Sequence, residues 1–260
     1  MKVLKFGGTS VANSKSLNKV LEIIKNQNDS IVVVVSALGG ITNLLMEMLA
    51  LAESGKNDFK SNLSKIEKLH LEPIKKCIPI QNQSAIISYM KKHLNELESR
   101  LDAIFLLEEV TKKNNASVAA YGEILSSNII QEIFKYNKID SELKDARELI
   151  QTLTHKGREI VNENVTNQQI KSYFKNNKAQ VVIVPGFIAS NKSGVTTTLG
   201  RGGSDYSAAI IANSIEADTF EIWTDVSGIY TANPKIVTQA KPIKKLSYYE
   251  AMELSHFGAK

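Results

Sequence analysis

The run Gly200-Arg201-Gly202-Gly203-Ser204-Asp205 places three glycines within four residues at the start of a helical stretch. With no side chains in the way, backbone N–H groups there can surround an anion at the positive end of a helix dipole. Arg201 in such a loop suits bidentate capture of a carboxylate or phosphate. Asp205 has a plain role as a helix cap; an acid inside an anion nest otherwise repels the ligand, so its alternative role is to orient a lysine or a metal-bound phosphate. Gly7-Gly8 after a short apolar run offers a second close approach to a phosphate, and Lys5 just before it brings an ammonium. A tight turn with a surface lysine is the simpler account of that pair. Thr224-Asp225, followed by Gly228-Ile229-Tyr230 and Pro234-Lys235, has the look of a nucleotide base and ribose loop, with an ordinary polar loop as the alternative. Glu123, at the start of a helical stretch beside Tyr121-Gly122, reads by itself as a surface acid compensating a helix dipole.

Several chemistries are excluded. There is no Gly-x-x-x-x-Gly-Lys-Ser/Thr loop and no His-Arg-Asp catalytic loop, so neither P-loop nor protein-kinase machinery is present. His70, His93, His155 and His256 are far apart, with no metal-ligand spacing and no Gly-x-Ser-x-Gly nucleophile signature, so no protein-held metal site is expected.

The elements that must position these residues alternate. A strand over Val3 to Phe6 ends at Gly7-Gly8-Thr9-Ser10, and Leu17, Val20, Leu21 and Ile24 follow at helical spacing. Ile31 to Val35 is apolar throughout, as in a strand buried on both faces of a parallel sheet. It ends at Ser36-Ala37-Leu38-Gly39-Gly40, with a helix from near Thr42. Residues 59 to 137 read as mostly helical, broken at Pro73 and Pro79. Strands over Ile139 to Leu143 and Val181 to Val184 return to the sheet, and a hairpin turns at Asn191-Lys192-Ser193-Gly194. A helix runs through Ala208, Ala209 and Ile211, a strand covers Thr219 to Trp223, and Ser247 with Glu250 forms a capping box for a last helix. β-α-β-α order predicts an α/β fold with a parallel sheet between helices. The clusters at 7–10, 36–42, 186–190 and 224–230 all follow strands, which aims them at the carboxyl edge of that sheet, where ligands bind.

The chain has 260 residues, 43% hydrophobic and 23% charged, within range for one large α/β unit. A core of that size needs no disulfide, and Cys77 is the only cysteine, which fits a reducing compartment. The first residues are too charged for a signal peptide, and the longest apolar run, Ile31 to Val35, cannot span a bilayer, so no membrane partner and a cytoplasmic location are expected. The net charge of +5 is scattered, which fits solvated helix faces and an anion pocket better than a nucleic-acid surface.

Taken together, the motifs resemble those of the aspartokinases. Lys5-Phe6-Gly7-Gly8-Thr9-Ser10-Val11 is similar to that family's opening signature, and Ser36 with Gly40-Ile41-Thr42-Asn43-Leu44-Leu45 to its second glycine-rich loop. Gly186-Phe187-Ile188, the run Thr196 to Tyr206, Ile222-Trp223-Thr224-Asp225-Val226 and Phe257-Gly258-Ala259-Lys260 continue the match in order. The resemblance implies the amino-acid-kinase fold, a three-layer αβα sandwich with a mainly parallel central sheet. It implies ATP-dependent phosphorylation of the side-chain carboxylate of L-aspartate, with Mg²⁺ carried mainly by the nucleotide. Lys5, Gly7 and Gly8 would then handle the phosphoryl group. Thr42, Glu123, Arg201 and Ser204 would hold aspartate, with Ser36 and Phe187 nearby, and Asp205 would organise the lysine and phosphates. Thr224, Asp225, Tyr230, Lys235 and Lys260 would contact ATP. The nucleotide loop departs from the family's frequent Thr-x-Asp-Pro-Arg: here it is Thr231-Ala232-Asn233-Pro234-Lys235, which keeps the charge and loses the bidentate fork. The resemblance further implies a catalytic domain over 1–260, cut short at Lys260, without the regulatory ACT domains that usually follow. Ser247 to Ser255 is most similar to the branch in which a homoserine dehydrogenase follows, and a homo-oligomer is expected of the full-length protein. The alternatives are a kinase of glutamate or acetylglutamate, an inactive ligand-binding module of the same fold, and a basic nucleic-acid-binding protein.

Overall fold

A computed structural model of the protein describes residues 1–234 and 236–256. The chain divides into two compact units, Met1–Trp223 and Thr224–Lys260.

The first unit is built on five parallel strands in the order β3-β6-β2-β1-β9. They are β1 (Lys2–Phe6), β2 (Ile31–Val35), β3 (Ser141–Leu143), β6 (Val181–Pro185) and β9 (Thr219–Trp223). Between β3 and β6 the chain forms β4 (Gln151–His155) and β5 (Arg158–Val161), and after β6 come β7 (Ile188–Asn191) and β8 (Thr196–Thr198). These four make a smaller sheet in the order β5-β4-β7-β8, which the sequence pattern did not anticipate beyond its β7–β8 hairpin. β2 lies near the middle of the parallel sheet and every one of its residues is buried, as its unbroken apolar run requires.

Helices lie on both faces. They are α1 (Ser14–Lys25), α2 (Ile41–Glu53), α3 (Phe59–Cys77), α4 (Ser84–Leu107), α5 (Lys112–Tyr136), α6 (Glu163–Asn176) and α7 (Gly203–Ser214). Strand alternation divides the core in two. Leu4, Phe6, Val33 and Val35 join the core beneath α1 to α5, while Val3, Val32 and Val34 join the one that contains Ala208 and Ile211 of α7. Lys5 shares the strand face of Val3, so it emerges at the end of β1 on the α7 side.

Pro73 corrects one expectation: it lies inside α3 and is buried rather than ending the helix. A helix-interior proline costs ~3 kcal/mol or more. Here burial of Ile66, His70 and Ile74 on the same helix holds α3 through it. Among the described residues no helix is long and apolar enough to cross a membrane.

The second unit contains α8 (Tyr248–His256), which opens with the expected capping box. Glu250 Oε2 accepts from the Ser247 N–H and hydroxyl at 2.8 Å, and the Glu250 N–H donates back to Ser247 Oγ at 3.2 Å.

Candidate active site

At the carboxyl edge of the parallel sheet lies a cavity of about 420 Å³. Five chain segments wall it: the end of β1 (Lys5, Gly8), the loop from β2 into α2 (Ser36 to Asn43), Glu123 of α5, Phe187, and the loop Gly200 to Asp205.

Lys5 is 8% exposed, and its Nζ lies 2.6 Å from Asp205 Oδ1 in the first turn of α7. The pair is an ion contact rather than an aligned hydrogen bond, because Oδ1 has no partner in hydrogen-bond geometry. Asp205 therefore does not cap α7; the N-cap is Gly202. Gly7 follows the strand, and its N–H donates to Trp223 O at 3.3 Å, as does the Ser10 hydroxyl at 3.1 Å, so the turn after β1 is tied to the end of β9. A Cβ at Gly8 would meet the Ala37 carbonyl at 3.0 Å, so only glycine lets the two loops approach this closely.

Two helices point their N-termini into the cavity region from glycine caps. Gly40 precedes α2 at φ +84° and Gly202 precedes α7 at φ +72°, neither with a side-chain cap. Ile41 N–H bonds back to Leu38 O and Gly203 N–H to Gly200 O. The N–H groups of Thr42, Asn43, Ser204 and Asp205 have no backbone acceptor among the described residues. Free donors at helix starts are an anion site in the making.

Glu123 overturns the reading of it as a surface acid near a helix start. It lies mid-way along α5 and is only 3% exposed. Its Oε1 accepts from the Ala37 N–H at 3.2 Å, while buried Oε2 has no partner. Burial pushes its pKa up to about 7, opposed in part by the Ala37 hydrogen bond. Gly122 makes the approach possible, because a Cβ there would lie 2.7 Å from the Ala37 Cβ. One turn on, the Ser126 hydroxyl donates to Ser36 O at 2.8 Å. A helical position beside a glycine was visible in the sequence, but the burial of Glu123 follows from α5 packing on α2 and was not.

Phe187 links β6 to β7 at φ +66°, a left-handed conformation that costs a non-glycine residue about 1–3 kcal/mol. On one side a Cβ at Gly203 would lie 2.8 Å from Phe187 Cδ2, and a Cβ at Gly186 would lie 2.8 Å from Ser204 Cα. These glycines let the β6–β7 link press against the start of α7. The cluster expected over 186–190 is thus a two-residue link, with Ile188 already in β7.

Of the residues singled out from the sequence, Lys5, Gly8, Ser36, Thr42, Glu123, Phe187, Arg201, Ser204 and Asp205 all line this one cavity, and Gly7 adjoins Lys5. Asn43, which also lines it, was overlooked. Its place one residue after Thr42 in a glycine-capped first turn was the available signal. Thr224, Asp225 and Tyr230 belong to the second unit. There the Thr224 hydroxyl donates to Asp225 Oδ1 at 3.1 Å, and Tyr230 forms an antiparallel bridge with Pro242. Lys235 and Lys260 lie outside the described residues. No group of three or more His, Cys, Asp or Glu side chains suited to a metal occurs among the described residues.

The sequence matches the amino acid kinase family over residues 1–260. The chain belongs to that family. It is 36% identical over 273 aligned residues to the bifunctional aspartokinase/homoserine dehydrogenase of Buchnera aphidicola, covering 100% of this chain and 32% of that protein. It is 34% identical to the lysine-sensitive aspartokinase 3 of Escherichia coli, covering 99% of this chain and 56% of that one. The fold matches the crystal structure of E. coli aspartokinase III in complex with aspartate and ADP, with a TM-score of 0.89, 31% identity, and 100% of this chain against 57% of that chain. This amino acid kinase thus spans about a third of the bifunctional relative and just over half of the E. coli enzyme.

Proposed function

We propose that this domain is an aspartokinase: it transfers the γ-phosphoryl group of ATP to the side-chain carboxylate of L-aspartate, giving 4-phospho-L-aspartate and ADP. The observation that carries this reading is one cavity in which an ion-paired lysine, an arginine, two glycine-capped helix starts and a buried acid converge. That set matches a ligand with two carboxylates, an ammonium and a phosphate to receive. The likeness to aspartokinases over the whole chain points the same way.

The chemistry requires no general base. A free aspartate side chain has a pKa of about 3.9 and is ionised at pH 7. Its oxygen forms a bond to the γ-phosphorus while the bond from that phosphorus to the β,γ-bridging oxygen breaks, and the electron pair leaves with ADP. The protein's task is in-line positioning, which can remove roughly 7–11 kcal/mol of barrier, and neutralisation of the phosphoryl oxygens. In this reading Lys5 moves its ammonium from Asp205 onto the phosphoryl group, and the backbone at Gly7 and Gly8 admits that group closely. Arg201 and Ser204 take the substrate's α-carboxylate, ionised Glu123 its ammonium, and Thr42 helps hold it beside Ser36 and Phe187. Mg²⁺ brought in with the nucleotide would supply neutralisation of phosphate charge, and Asp205 would be the carboxylate to help hold it, since magnesium is usually held by one or two carboxylates plus substrate phosphates. Thr224, Asp225, Tyr230, Lys235 and Lys260 are assigned to ATP.

We place the enzyme in the cytoplasm, at the first step toward lysine, threonine and methionine. We further assign the chain to the catalytic part of a longer homo-oligomeric protein, one bearing a homoserine dehydrogenase. An aspartate- and ATP-dependent hydroxamate assay tests the activity, with glutamate and acetylglutamate in parallel. Hydroxamate from aspartate alone is expected; turnover of another acid in preference would replace the substrate, and none from any acid would leave a binding module.

A further inference from the structure

Ser207 does not line the cavity, is fully buried, and plays no part in the scheme above. Its hydroxyl proton is committed to the Gly203 carbonyl one turn back in α7, at 2.9 Å. That bond is common for a helical serine and by itself means little. It does fix the rotor, however, and turns a lone pair outward. The lone pair accepts the Phe187 N–H at 3.0 Å across 20 residues of sequence. On its other side, the Phe187 carbonyl accepts the Leu199 N–H at 2.9 Å.

Phe187 is therefore gripped through both backbone groups while in the left-handed conformation, at φ +66°. The two grips fall on either side of one loop. Leu199 enters it and Ser207 lies in the first turns of the helix that leaves it, and Arg201 stands between them. Within the loop the Gly203 N–H closes a turn on Gly200 O at 3.0 Å, while Gly200 and Gly202 are both at positive φ with open space where a Cβ would be. A strained residue that stays put needs surroundings that over-determine it.

We propose that Ser207 is a positioning residue for the substrate's carboxylate. By locking Phe187 against α7, it sets the span of the Leu199–Gly203 loop and so the place of Arg201 and Ser204. The assignment of a carboxylate rests on the aspartokinase reading; the clamp does not.

Two readouts separate the two claims. In amide hydrogen exchange on the full chain without ligand, Ser207→Ala should speed exchange of the Phe187 amide and of the 199–205 loop at least tenfold, with α1 to α4 unchanged. In kinetics, the same variant should raise KM for aspartate about tenfold or more, with KM for ATP within twofold of the parent. Ser207→Thr, which keeps the hydroxyl, should recover most of both. Should Ser207→Ala not fold, Ser207→Cys keeps the volume with a poorly accepting thiol and carries the same comparison. Parent-like exchange at Phe187 and the loop, or equal losses for aspartate and ATP, would overturn the proposal. If the clamp appears in exchange but the parent handles no aspartate, the substrate reading fails and the clamp stands.

Discussion

Helices α2 and α7 both begin at a glycine in the left-handed region, and both leave two N–H groups at the cavity without backbone acceptors among the described residues. What fixes the loop before each differs. The loop before α2 is held from outside by α5, through the Glu123 carboxyl on the Ala37 N–H and the Ser126 hydroxyl on Ser36 O. The loop before α7 is held by uncharged groups, the backbone of Phe187 and the hydroxyl of Ser207, with charge entering only where Lys5 meets Asp205. The α2 side thus couples its geometry to a titrating group and a tight steric contact. The α7 side relies on neutral hydrogen bonds; both glycine caps are open to a Cβ, and the α7 side has a tight contact of its own, with a Cβ at Gly203 only 2.8 Å from Phe187 Cδ2. The lesson is that two similar glycine-capped motifs can serve one cavity with different dependence on conditions.

The sharpest break should come at the charged contact on the α7 side. Lys5→Ala is expected to lower kcat by about 10²–10³-fold, the scale for losing one preorganised charge stabiliser. ATP should still bind, as calorimetry would register. Turnover near that of the parent would mean that Lys5 is not the phosphoryl clamp. Arg201→Ala comes next. Losing a charged hydrogen bond costs about 1.5–3 kcal/mol, so aspartate binding should weaken by roughly 10- to 150-fold. ATP affinity should stay near that of the parent; equal losses for both ligands would undo the assignment of Arg201 to the amino acid.

The difference between a tightly packed glycine and an open glycine cap is tested by two alanines. At Gly122 a Cβ would lie 2.7 Å from the Ala37 Cβ, so Gly122→Ala should push α5 off the α2 loop and cost about 1–3 kcal/mol in denaturant unfolding. At Gly202 nothing lies within 4 Å of a Cβ, so Gly202→Ala should pay only for its positive φ, about 1–2 kcal/mol. The informative readout is the KM for aspartate, which Gly122→Ala should raise by moving Glu123. If both variants left it unchanged, the contact between α5 and the α2 loop would have no bearing on the ligand.

Much of this arrangement was legible in the sequence. Unbroken apolar runs marked β2 and β6, a short apolar run interrupted by Lys5 marked β1, and small-residue clusters after them marked the carboxyl edge. What escaped depends on contacts between distant segments. Glu123 could not be read as buried because helical periodicity places it beside a glycine without saying what packs on that face. Pro73 misled because local propensity was overruled by burial of its own helix. β4 and β5 were missed because Gln151–His155 and Arg158–Val161 are largely exposed and lack the apolar pattern of the main sheet. Nothing in the sequence sets Ser207 apart from other helical serines, since its partner Phe187 lies outside its helix.

The smallest predicted effect separates the two sides most directly. Burial raises the Glu123 carboxyl to about 7, while the unfolded chain titrates near its ordinary 4.5. The folded state therefore holds a proton that the unfolded state has lost between those values, so this group's contribution to stability falls as pH rises through that window. A substrate ammonium beside Glu123 favours the ionised form. Aspartate binding should then release a proton below pH 7, and affinity should drop by up to about tenfold per pH unit as the solution is acidified from 7 to 6, levelling above 7.5. Glu123→Gln should bind more weakly and lose that slope, and Ser207→Ala should bind more weakly and keep it. Calorimetry at several pH values in buffers of different ionisation enthalpy measures both the slope and the proton count. A slope that survives Glu123→Gln would place the titrating group elsewhere and remove the distinction drawn between α2 and α7.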